Sequence, residues 1–467
     1  MDTASVLAHI EATLNASRER WFEWLRIPSV SAQPVHDPDC LRAAMWLRDE
    51  LAGLGFEAAL HETAGKPVVL ARHAGPGGES GQEAPHLLFY GHYDVQPAEP
   101  LELWHAPPFD PKLTEGPNGP RVVARGAVDD KGQVMLWLEA LRAWHAVTGT
   151  LPVRVTVLVE GEEEVGSPNL EPFLIANRIA LAADVAVISD TNMWNVDTPA
   201  LTTRLRGLAY MQLTVRAASK DLHSGLFGGV ALNPIAVLTR ILGALHDAEG
   251  HVQVPGFYDG VSDTPADLVA EWAALGFDEA AFLAGIGLHH QSGETARPAL
   301  ERLWARPTAE INGIWGGYQG PGAKTVIPAE AGAKVSFRLV PGQDPAAIER
   351  GFRAFVEARL PLGAKAHFES FGAAPGVLIP SESRFVGAAR AALAAEYGRP
   401  AVLIGSGGSI PVVESLHRLL GVDSLLMGFG LEDDQVHSPN EKFDWRCFHH
   451  GIRAHARLLS IVASAAA

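Results

Sequence analysis

Two short segments of this chain, residues 153–159 and 183–189, are almost uninterrupted in apolar residues. Strands that are buried on both faces have this pattern, because neither face meets water. Further short strands of the same sheet are predicted over residues 86–90 and 121–124, and helical patterns occupy residues 131–147 and 169–179. Buried strands that alternate with helices predict an α/β domain with an open, mostly parallel sheet.

The pattern changes after about residue 206. Apolar and polar residues alternate over residues 210–216 and 334–340, which is typical of antiparallel strands with one covered face. The predicted order of elements is strand, helix, strand, strand, helix, strand, as in ferredoxin-like α+β domains. Residues 249–306 interrupt this order, and their pattern does not indicate a structure.

The α/β pattern returns after residue 376, with a predicted helix near residues 383–397 and a strand at 424–429. The smaller domain is therefore expected to be inserted into the larger one. The predicted boundaries are 1–205 and 379–467 for the two parts of the larger domain and 206–378 for the insert.

Charge and cysteine content exclude several classes of function. The formal net charge is -17, which would repel nucleic acids and anionic membranes. No apolar run approaches the length that spans a bilayer. The chain has only two cysteines, Cys40 and Cys447, so we expect no disulfide framework and a reducing cytoplasmic location.

Acidic and histidine side chains follow the predicted strands. Because functional groups collect beyond the carboxyl ends of the strands in an open α/β sheet, we expect these side chains to converge. Converging carboxylates repel one another unless cations lie between them, and carboxylate and imidazole groups are ligands that zinc accepts. Two cations that share a carboxylate are suited to amide hydrolysis. The candidates are His92 and Asp94, Asp129 and Asp130, Glu160 and Glu162 to Glu164, Asp190, and His437.

Each of these motifs has an ordinary alternative explanation. A single histidine after a strand is more often a hydrogen-bonded loop residue than a ligand, and an acidic run such as residues 162–164 is usually solvated surface. Asp129 and Asp130 could cap the helix that follows them. Their occurrence together, each at a strand end, favours the metal site.

The motifs resemble those of the dinuclear zinc exopeptidases that include carnosinase, aminoacylase and succinyl-diaminopimelate desuccinylase. The resemblance spans nearly the whole chain and is nearest to the carnosinase-like dipeptidase branch. It rests on the motifs GHYDVQP (91–97), ARGAVDDKG (124–132), EGEEEVGS (160–167), ISD (188–190), HSGLFGG (223–229), GGYQGPGAKTVIP (316–328), GGSIP (407–411) and VHSPNEK (436–442).

The resemblance implies a ligand set for two divalent cations, with zinc expected and manganese as the other possibility. Asp129 would bridge the two cations. His92 and Asp190 would complete one site, and Glu164 and His437 the other. It also implies a cis peptide bond after Asp129.

The resemblance further implies that Glu163 is the general base, taking a proton from the bridging water and delivering it to the leaving amine. The neighbouring Glu162 leaves the register of this acidic run open, although the Val165 and Gly166 that follow favour Glu163. Asp94 would orient the imidazole of His92, since the side chains of residues two positions apart on a strand lie on the same face.

Substrate recognition is expected in the inserted domain. By resemblance, Arg338 would bind a free carboxylate, with Thr325, Gly408 and Ser409 as further donors. On the residue pattern alone, Arg338 could equally be a surface arginine of a sheet. His223 resembles the oxyanion-stabilising residue that the partner chain contributes in a homodimer, which would make the insert a lid and dimerisation domain.

Three functions remain open at this point. The first is a metallopeptidase that cleaves dipeptides or short peptides, as a dipeptidase or carboxypeptidase. The second is a deacylase of N-acyl amino acids or a desuccinylase. The third is a catalytically silent binding protein with the same fold, against which the intact Glu163 and the complete ligand set argue.

Overall fold

The structure is a computed structural model that describes residues 2–77 and 84–465. The chain forms two compact units. The larger unit runs to Thr203, takes up Ile379–Ile404 and continues from Ser415, and the smaller unit comprises Arg204–Leu378 and Gly405–Glu414. The segment Gly405–Glu414 thus packs with the smaller unit, whereas the sequence pattern assigns it to the larger domain.

Most of the helices predicted from the sequence are present in the structure. Those of the described chain are α1 (Thr3–Leu25), α2 (Asp37–Gly53), α3 (Lys131–Thr148), α4 (Leu170–Ala176), α5 (Ser224–Phe227), α6 (Pro234–Gly243), α7 (Ala266–Ala274), α8 (Glu279–Gly285), α9 (Ala299–Trp304), α10 (Pro345–Glu357), α11 (Arg384–Tyr397), α12 (Pro411–Ser415) and α13 (Trp445–Ser464). None of the helices in residues 2–77 and 84–465 is both long enough and apolar enough to cross a bilayer.

The strands are two to ten residues long. They are β1 (Glu57–His61), β2 (Val68–His73), β3 (His86–His92), β4 (Lys112–Gly116), β5 (Gly119–Val123), β6 (Arg154–Glu160), β7 (Val185–Ile188), β8 (Ala200–Leu205), β9 (Gly207–Arg216), β10 (Leu222–His223), β11 (Thr308–Gly316), β12 (Val326–Ile327), β13 (Glu330–Leu339), β14 (Lys365–Ala374), β15 (Val377–Leu378), β16 (Val402–Ser406), β17 (Ser424–Leu426) and β18 (Lys442–Asp444).

The main sheet of the larger unit has the strand order β1-β2-β6-β3-β7-β17-β8. The four central strands β6, β3, β7 and β17 are parallel. Strands β2 and β8 flank them antiparallel, and β1 pairs antiparallel with β2. After its first residue β6 is buried throughout, and β7 is buried along its whole length, because neighbouring elements cover both faces. Helix α3 packs against α1 and α13. The predicted open, mostly parallel α/β sheet is confirmed.

One predicted strand does not belong to this sheet. Residues 121–124 were expected to lie in the main sheet, but the strand that contains most of them, β5, pairs antiparallel with β4 and β18 in a separate three-stranded sheet. The sequence Pro117-Asn118-Gly119 makes a tight turn between β4 and β5, with Gly119 at φ +100°, so the two strands form a hairpin. The expectation that all the candidate loops leave one sheet is therefore wrong for the loop that carries Asp129.

The smaller unit contains a four-stranded antiparallel sheet in the order β11-β13-β9-β14. Together with α6 and α10 it gives the ferredoxin-like arrangement that the pattern predicts. Alternate residues of β9 are buried, and those of β13 such as Val335 and Phe337 pack with α6 and α10 in one core. The other face of the sheet carries polar residues. Residues 249–306, for which the sequence indicated no structure, contain α7, α8 and α9.

Candidate metal centre and substrate residues

The main sheet places three of the candidate residues near the carboxyl ends of adjacent parallel strands. His92 is the last residue of β3, Asp190 lies two residues beyond β7, and Glu164 lies in a short 3-10 turn after β6. Because β6, β3 and β7 are parallel neighbours, their ends meet at one edge of the sheet. The sequence therefore folds so that distant motifs become neighbours.

His92, Asp129 and Asp190 form one group with the chemistry of metal ligands. The Nε2 atom of His92 lies 3.1 Å from Oδ1 of Asp129 and 3.9 Å from Oδ2 of Asp190. This nitrogen is fully buried and has no aligned hydrogen-bond partner in residues 2–77 and 84–465. A buried imidazole nitrogen that faces two carboxylates without hydrogen bonding is suited to a cation.

Asp129, Glu164 and His437 form the second group. The Nε2 atom of His437 lies 2.9 Å from Oδ2 of Asp129 and 3.2 Å from Oε2 of Glu164. Asp129 is thus common to both groups, with one oxygen directed to His92 and the other to His437. The ligand set implied by the sequence motifs is brought together with this shared carboxylate at its centre.

The protonation behaviour of the cluster also fits cation binding. Burial and the negative charge of Asp129 raise the pKa of Asp190 to about 8. Hydrogen bonds to Asp129 and Glu164 raise the pKa of His437 to about 10. Burial opposes a charge on His92, but the carboxylates of Asp129 and Asp94 outweigh it and raise the pKa of the imidazole. Without cations, protons have to offset the clustered negative charge, and divalent cations would replace those protons.

Asp94 supports both the imidazole and the acidic loop. Its carboxylate is fully buried and accepts hydrogen bonds from the backbone N–H groups of Glu163 (3.3 Å) and Glu164 (3.2 Å). The Nδ1 atom of His92 lies 3.1 Å from the backbone oxygen of Asp94 and 3.4 Å from its carboxylate. Asp94 therefore lies beside His92 as the motif implies, and its carboxylate also holds the loop that carries Glu163 and Glu164.

Glu163 and Glu162 differ in their surroundings. The side chain of Glu162 accepts a hydrogen bond from Nδ2 of Asn169 at 2.7 Å. Burial raises the pKa of Glu163, against the lowering effect of His92, and the charges of Glu164 and Asp129 also act on it. Glu163 is therefore the acid of this pair that belongs electrostatically to the cluster.

Sequence reasoning missed Glu441, which was quoted only as part of VHSPNEK. Its buried carboxylate accepts hydrogen bonds from the backbone N–H groups of Val128 (2.9 Å) and Asp129 (3.1 Å) through Oε1. Its other oxygen accepts from Gly126 N–H at 3.0 Å and from Nη1 of Arg125 at 2.7 Å. One side chain thus fixes the loop before the shared ligand. The peptide bond between Asp129 and Asp130 is cis, as expected.

In the smaller unit, His223 and Thr325 lie close together on the two-stranded ribbon β10–β12. His223 pairs in register with Val326, and the backbone oxygen of Thr325 accepts from Ser224 N–H at 3.0 Å. The His223 side chain is exposed, and its Nδ1 accepts a hydrogen bond from Gly225 N–H at 3.0 Å.

The remaining candidates of the smaller unit lie on the polar face of its sheet and in the segment Gly405–Glu414. Arg338 is half-buried on β13. Gly408 N–H donates to Oγ of Ser406 at 3.1 Å, and Ser409 follows in the same turn. Arg206 donates from Nε to the backbone oxygen of Gly407 at 3.1 Å, so this turn is anchored beside β9.

Comparison with known proteins gives one consistent family. The model of Peptidase family M20/M25/M40 matches residues 88–461. The Beta-Ala-His dipeptidase of Homo sapiens is 31% identical over 444 residues, which cover 90% of this chain and 85% of that protein. The Cys-Gly metallodipeptidase dug1 of Schizosaccharomyces pombe is 31% identical over 442 residues, covering 91% of each. The solved structure of the dipeptidase Dug1p from Saccharomyces cerevisiae matches with a TM-score of 0.80 at 28% identity, covering 99% of both chains.

Proposed function

The chain belongs to peptidase family M20/M25/M40, and from that premise we propose that it hydrolyses the amide bond of dipeptides and other short peptides. The observation that carries the proposal is the position of Asp129 between the two ligand groups. His92 and Asp190 would hold one divalent cation, Glu164 and His437 the other, and Asp129 both. When bound, such a pair of cations polarises the scissile carbonyl and lowers the pKa of an attacking water.

We propose that Glu163 transfers the proton. Its carboxylate takes a proton from the attacking water and returns it to the nitrogen of the leaving amine. The two backbone hydrogen bonds to Asp94 support this role, because they fix the loop from which Glu163 and Glu164 project. A general base and a ligand on adjacent residues can then keep a constant separation.

For recognition, we propose that Arg338 binds the free carboxylate of the peptide, with Thr325, Gly408 and Ser409 as further donors. A guanidinium group binds a carboxylate with two parallel hydrogen bonds. Burial lowers the pKa of Arg338, and no acid among residues 2–77 and 84–465 offsets that effect. The guanidinium is therefore available to an anion from outside the chain.

The working form is proposed to be a homodimer in which His223 acts in the active site of the partner chain. An imidazole that faces the scissile carbonyl would stabilise the developing oxyanion. Exposed apolar side chains close to His223, Leu226 at 76% and Val230 at 91% exposure, support an interface at this ribbon. Two-fold dimers are the commonest oligomers.

We propose zinc as the metal, since imidazole and carboxylate ligands suit it, although manganese accepts the same set. A cytoplasmic location is proposed as well. Cys40 and Cys447 are both buried and free, which suits a reducing compartment.

The deacylase or desuccinylase alternative is not favoured, because the relatives reported above are named as dipeptidases. The test is a panel of dipeptides assayed beside N-acetyl and N-succinyl amino acids, with zinc or manganese added after dialysis against a chelator. We expect metal-dependent release of amino acids from the dipeptides. Full activity in a verified metal-free preparation, or turnover of the acylated amino acids alone, would reject the proposal.

A further inference from the structure

The smaller unit contains a cavity of about 770 Å³ on the polar face of its four-stranded sheet. The sheet side of the cavity includes Arg206, Glu310, Ser336 and Arg338. The opposite side comes from the insertion at residues 249–306 and includes Phe282, Ile286 and Leu288. The sheet wall thus carries two arginines and one acid, and the insertion contributes an apolar wall.

The arginines that line the cavity fall into two kinds. Arg306 is buried and forms a bidentate ion pair with Glu294, with Nε–Oε2 and Nη2–Oε1 distances of 2.6 and 3.1 Å. Arg302 pairs with Glu279. Each of these two arginines is neutralised by its acidic partner, and both ion pairs lie within the insertion at residues 249–306.

Arg206 and Arg338 are different, because neither guanidinium forms an ion pair with any of residues 2–77 and 84–465. Arg206 bonds only to the backbone oxygens of Gly407 (3.1 Å) and Arg306 (3.5 Å). Burial and the charge of Arg338 lower the pKa of Arg206 to about 10, against the opposing effect of Glu310. Glu310 offsets part of this repulsion, but among the described residues it forms no ion pair with either arginine, so a ligand anion would stabilise the two half-buried like charges further.

The side chains of the apolar wall also remain exposed to solvent. Ile286 is 62% exposed and Leu288 50% exposed, although both line the cavity. Large apolar side chains that remain in water at a concave surface indicate a ligand site. A ligand that is complementary to both walls carries a carboxylate at one end and an apolar group at the other.

We propose that this cavity binds the C-terminal residue of the peptide substrate, with Arg206 joining Arg338 on its carboxylate and the insertion selecting large apolar side chains. The inference rests on the proposed function and specifies its preferred substrate class as dipeptides with a C-terminal residue such as leucine. Arg206 is then a binding residue, and Ile286 and Leu288 set specificity.

The kinetic test compares alanyl-leucine with alanyl-glycine in the metal-loaded enzyme. The double variant Ile286→Ser with Leu288→Ser removes exposed side chains and should fold normally. We expect it to lower the ratio of kcat/KM for alanyl-leucine over alanyl-glycine by about tenfold, the effect of losing apolar contacts to a side chain. Leu362→Ser, at a residue that is 99% exposed and outside the cavity, is the matched control and should leave the ratio unchanged.

The binding test uses 4-methylpentanoate, which carries an apolar group and a carboxylate but no amine or scissile bond. Calorimetry should show that it binds the wild-type enzyme and that Arg206→Gln weakens it by at least tenfold, since a hydrogen bond to a charged group is lost. Arg206→Gln should also raise KM for both dipeptides while kcat changes little.

The outcomes separate this inference from the proposed function. A wild-type enzyme that cleaves no dipeptide would refute the proposed function, whereas calorimetry with 4-methylpentanoate would still test the cavity. An active enzyme whose substrate ratio is unchanged in the double variant would overturn the specificity role of the insertion. Unchanged binding of 4-methylpentanoate to Arg206→Gln would overturn the role of Arg206.

Discussion

The ligand cluster of the larger unit and the polar sheet face of the smaller unit hold charge in opposite ways. In the cluster, the carboxylate of Asp129 contacts two imidazoles, and Asp94 and Glu441 are occupied by backbone N–H groups. On the sheet face, Arg206 and Arg338 have no acid paired with them in the described chain.

This difference supports the proposal that the cluster holds reacting groups in place and that the sheet face receives a ligand. Fixed hydrogen bonds orient groups before a reaction, so they need not reorganise during it. Unpaired guanidinium groups gain their partners only when an anion binds. We therefore expect changes in the cluster to affect turnover or metal content, and changes on the sheet face to affect KM.

The largest expected effect comes from Glu163→Ala. Removing a general base typically lowers turnover by about 10²–10⁴-fold, and the variant should keep its metals because Glu163 belongs to neither ligand group. Asp129→Ala should instead lose metal, since it removes the shared ligand. Steady-state kinetics and metal analysis of both purified variants give the measurement.

Glu162→Ala is the control for the register of the acidic run. Its carboxylate is bonded to Asn169, so turnover and metal content should stay near those of the wild type. A Glu163→Ala protein emptied of metal beside a fully loaded Asp129→Ala protein would show that the assignment of ligand and base is wrong.

His223→Ala tests whether the smaller unit contributes chemistry as well as recognition. Losing one oxyanion donor typically costs about 10²–10³-fold in turnover. We expect His223→Ala and Glu163→Ala homodimers both to be nearly inactive. Mixed dimers should recover activity, because one of their two sites combines an intact Glu163 with an intact His223 from the partner.

The mixing experiment needs proof that mixed dimers form, which mass measurement of differently tagged chains supplies. If confirmed mixed dimers stay inactive, donation of His223 across the dimer is rejected. In that case the smaller unit would contribute to substrate binding alone, and all the reacting groups would lie in the larger unit.

The sequence predicted the fold where pattern and burial agree. The apolar runs that became β6 and β7 are buried as expected, and the alternation in β9 and β13 matches one covered face. The strand at residues 121–124 was misassigned, because four residues do not reveal whether a strand joins the main sheet or a hairpin. In the sequence, only the Asn118-Gly119 pair, which is typical of a hairpin turn, indicated that this strand belongs to a hairpin.

The site was predictable as far as its motifs were local. His92, Asp190 and the residues around Glu163 follow strands directly, so their convergence follows from a parallel sheet. The roles of Glu441 and Arg206 depend on contacts between segments that are far apart in the chain: Glu441 lies over 300 residues from the loop it supports, and Arg206 about 200 residues from Gly407. A single sequence contains no periodicity that reports such contacts.

The smallest of these effects is expected from Glu441→Gln, and it concerns how firmly the cluster is held. The Glu441 carboxylate accepts four hydrogen bonds from the segment before and at Asp129. The amide of glutamine has only one oxygen, which could still accept the hydrogen bonds made to one of the two carboxylate oxygens. Its NH₂ group would then face the donors that bond to the other oxygen. Asp129 would remain present but less well positioned between the two ligand groups.

We therefore expect Glu441→Gln to weaken metal affinity by about 10–100-fold, as is typical when a residue that orients metal ligands is changed. Competition with a chelating dye measures the affinity, and thermal unfolding of the same samples reports whether the fold is intact. Glu432→Gln, the same change at an exposed acid nearby, should alter neither. Added zinc should restore the turnover of Glu441→Gln, because its ligands and base are all present. Unchanged affinity in a folded Glu441→Gln protein would mean that Asp129 is positioned without Glu441, and that the cluster depends less on buried hydrogen bonds than its contrast with the sheet face implies.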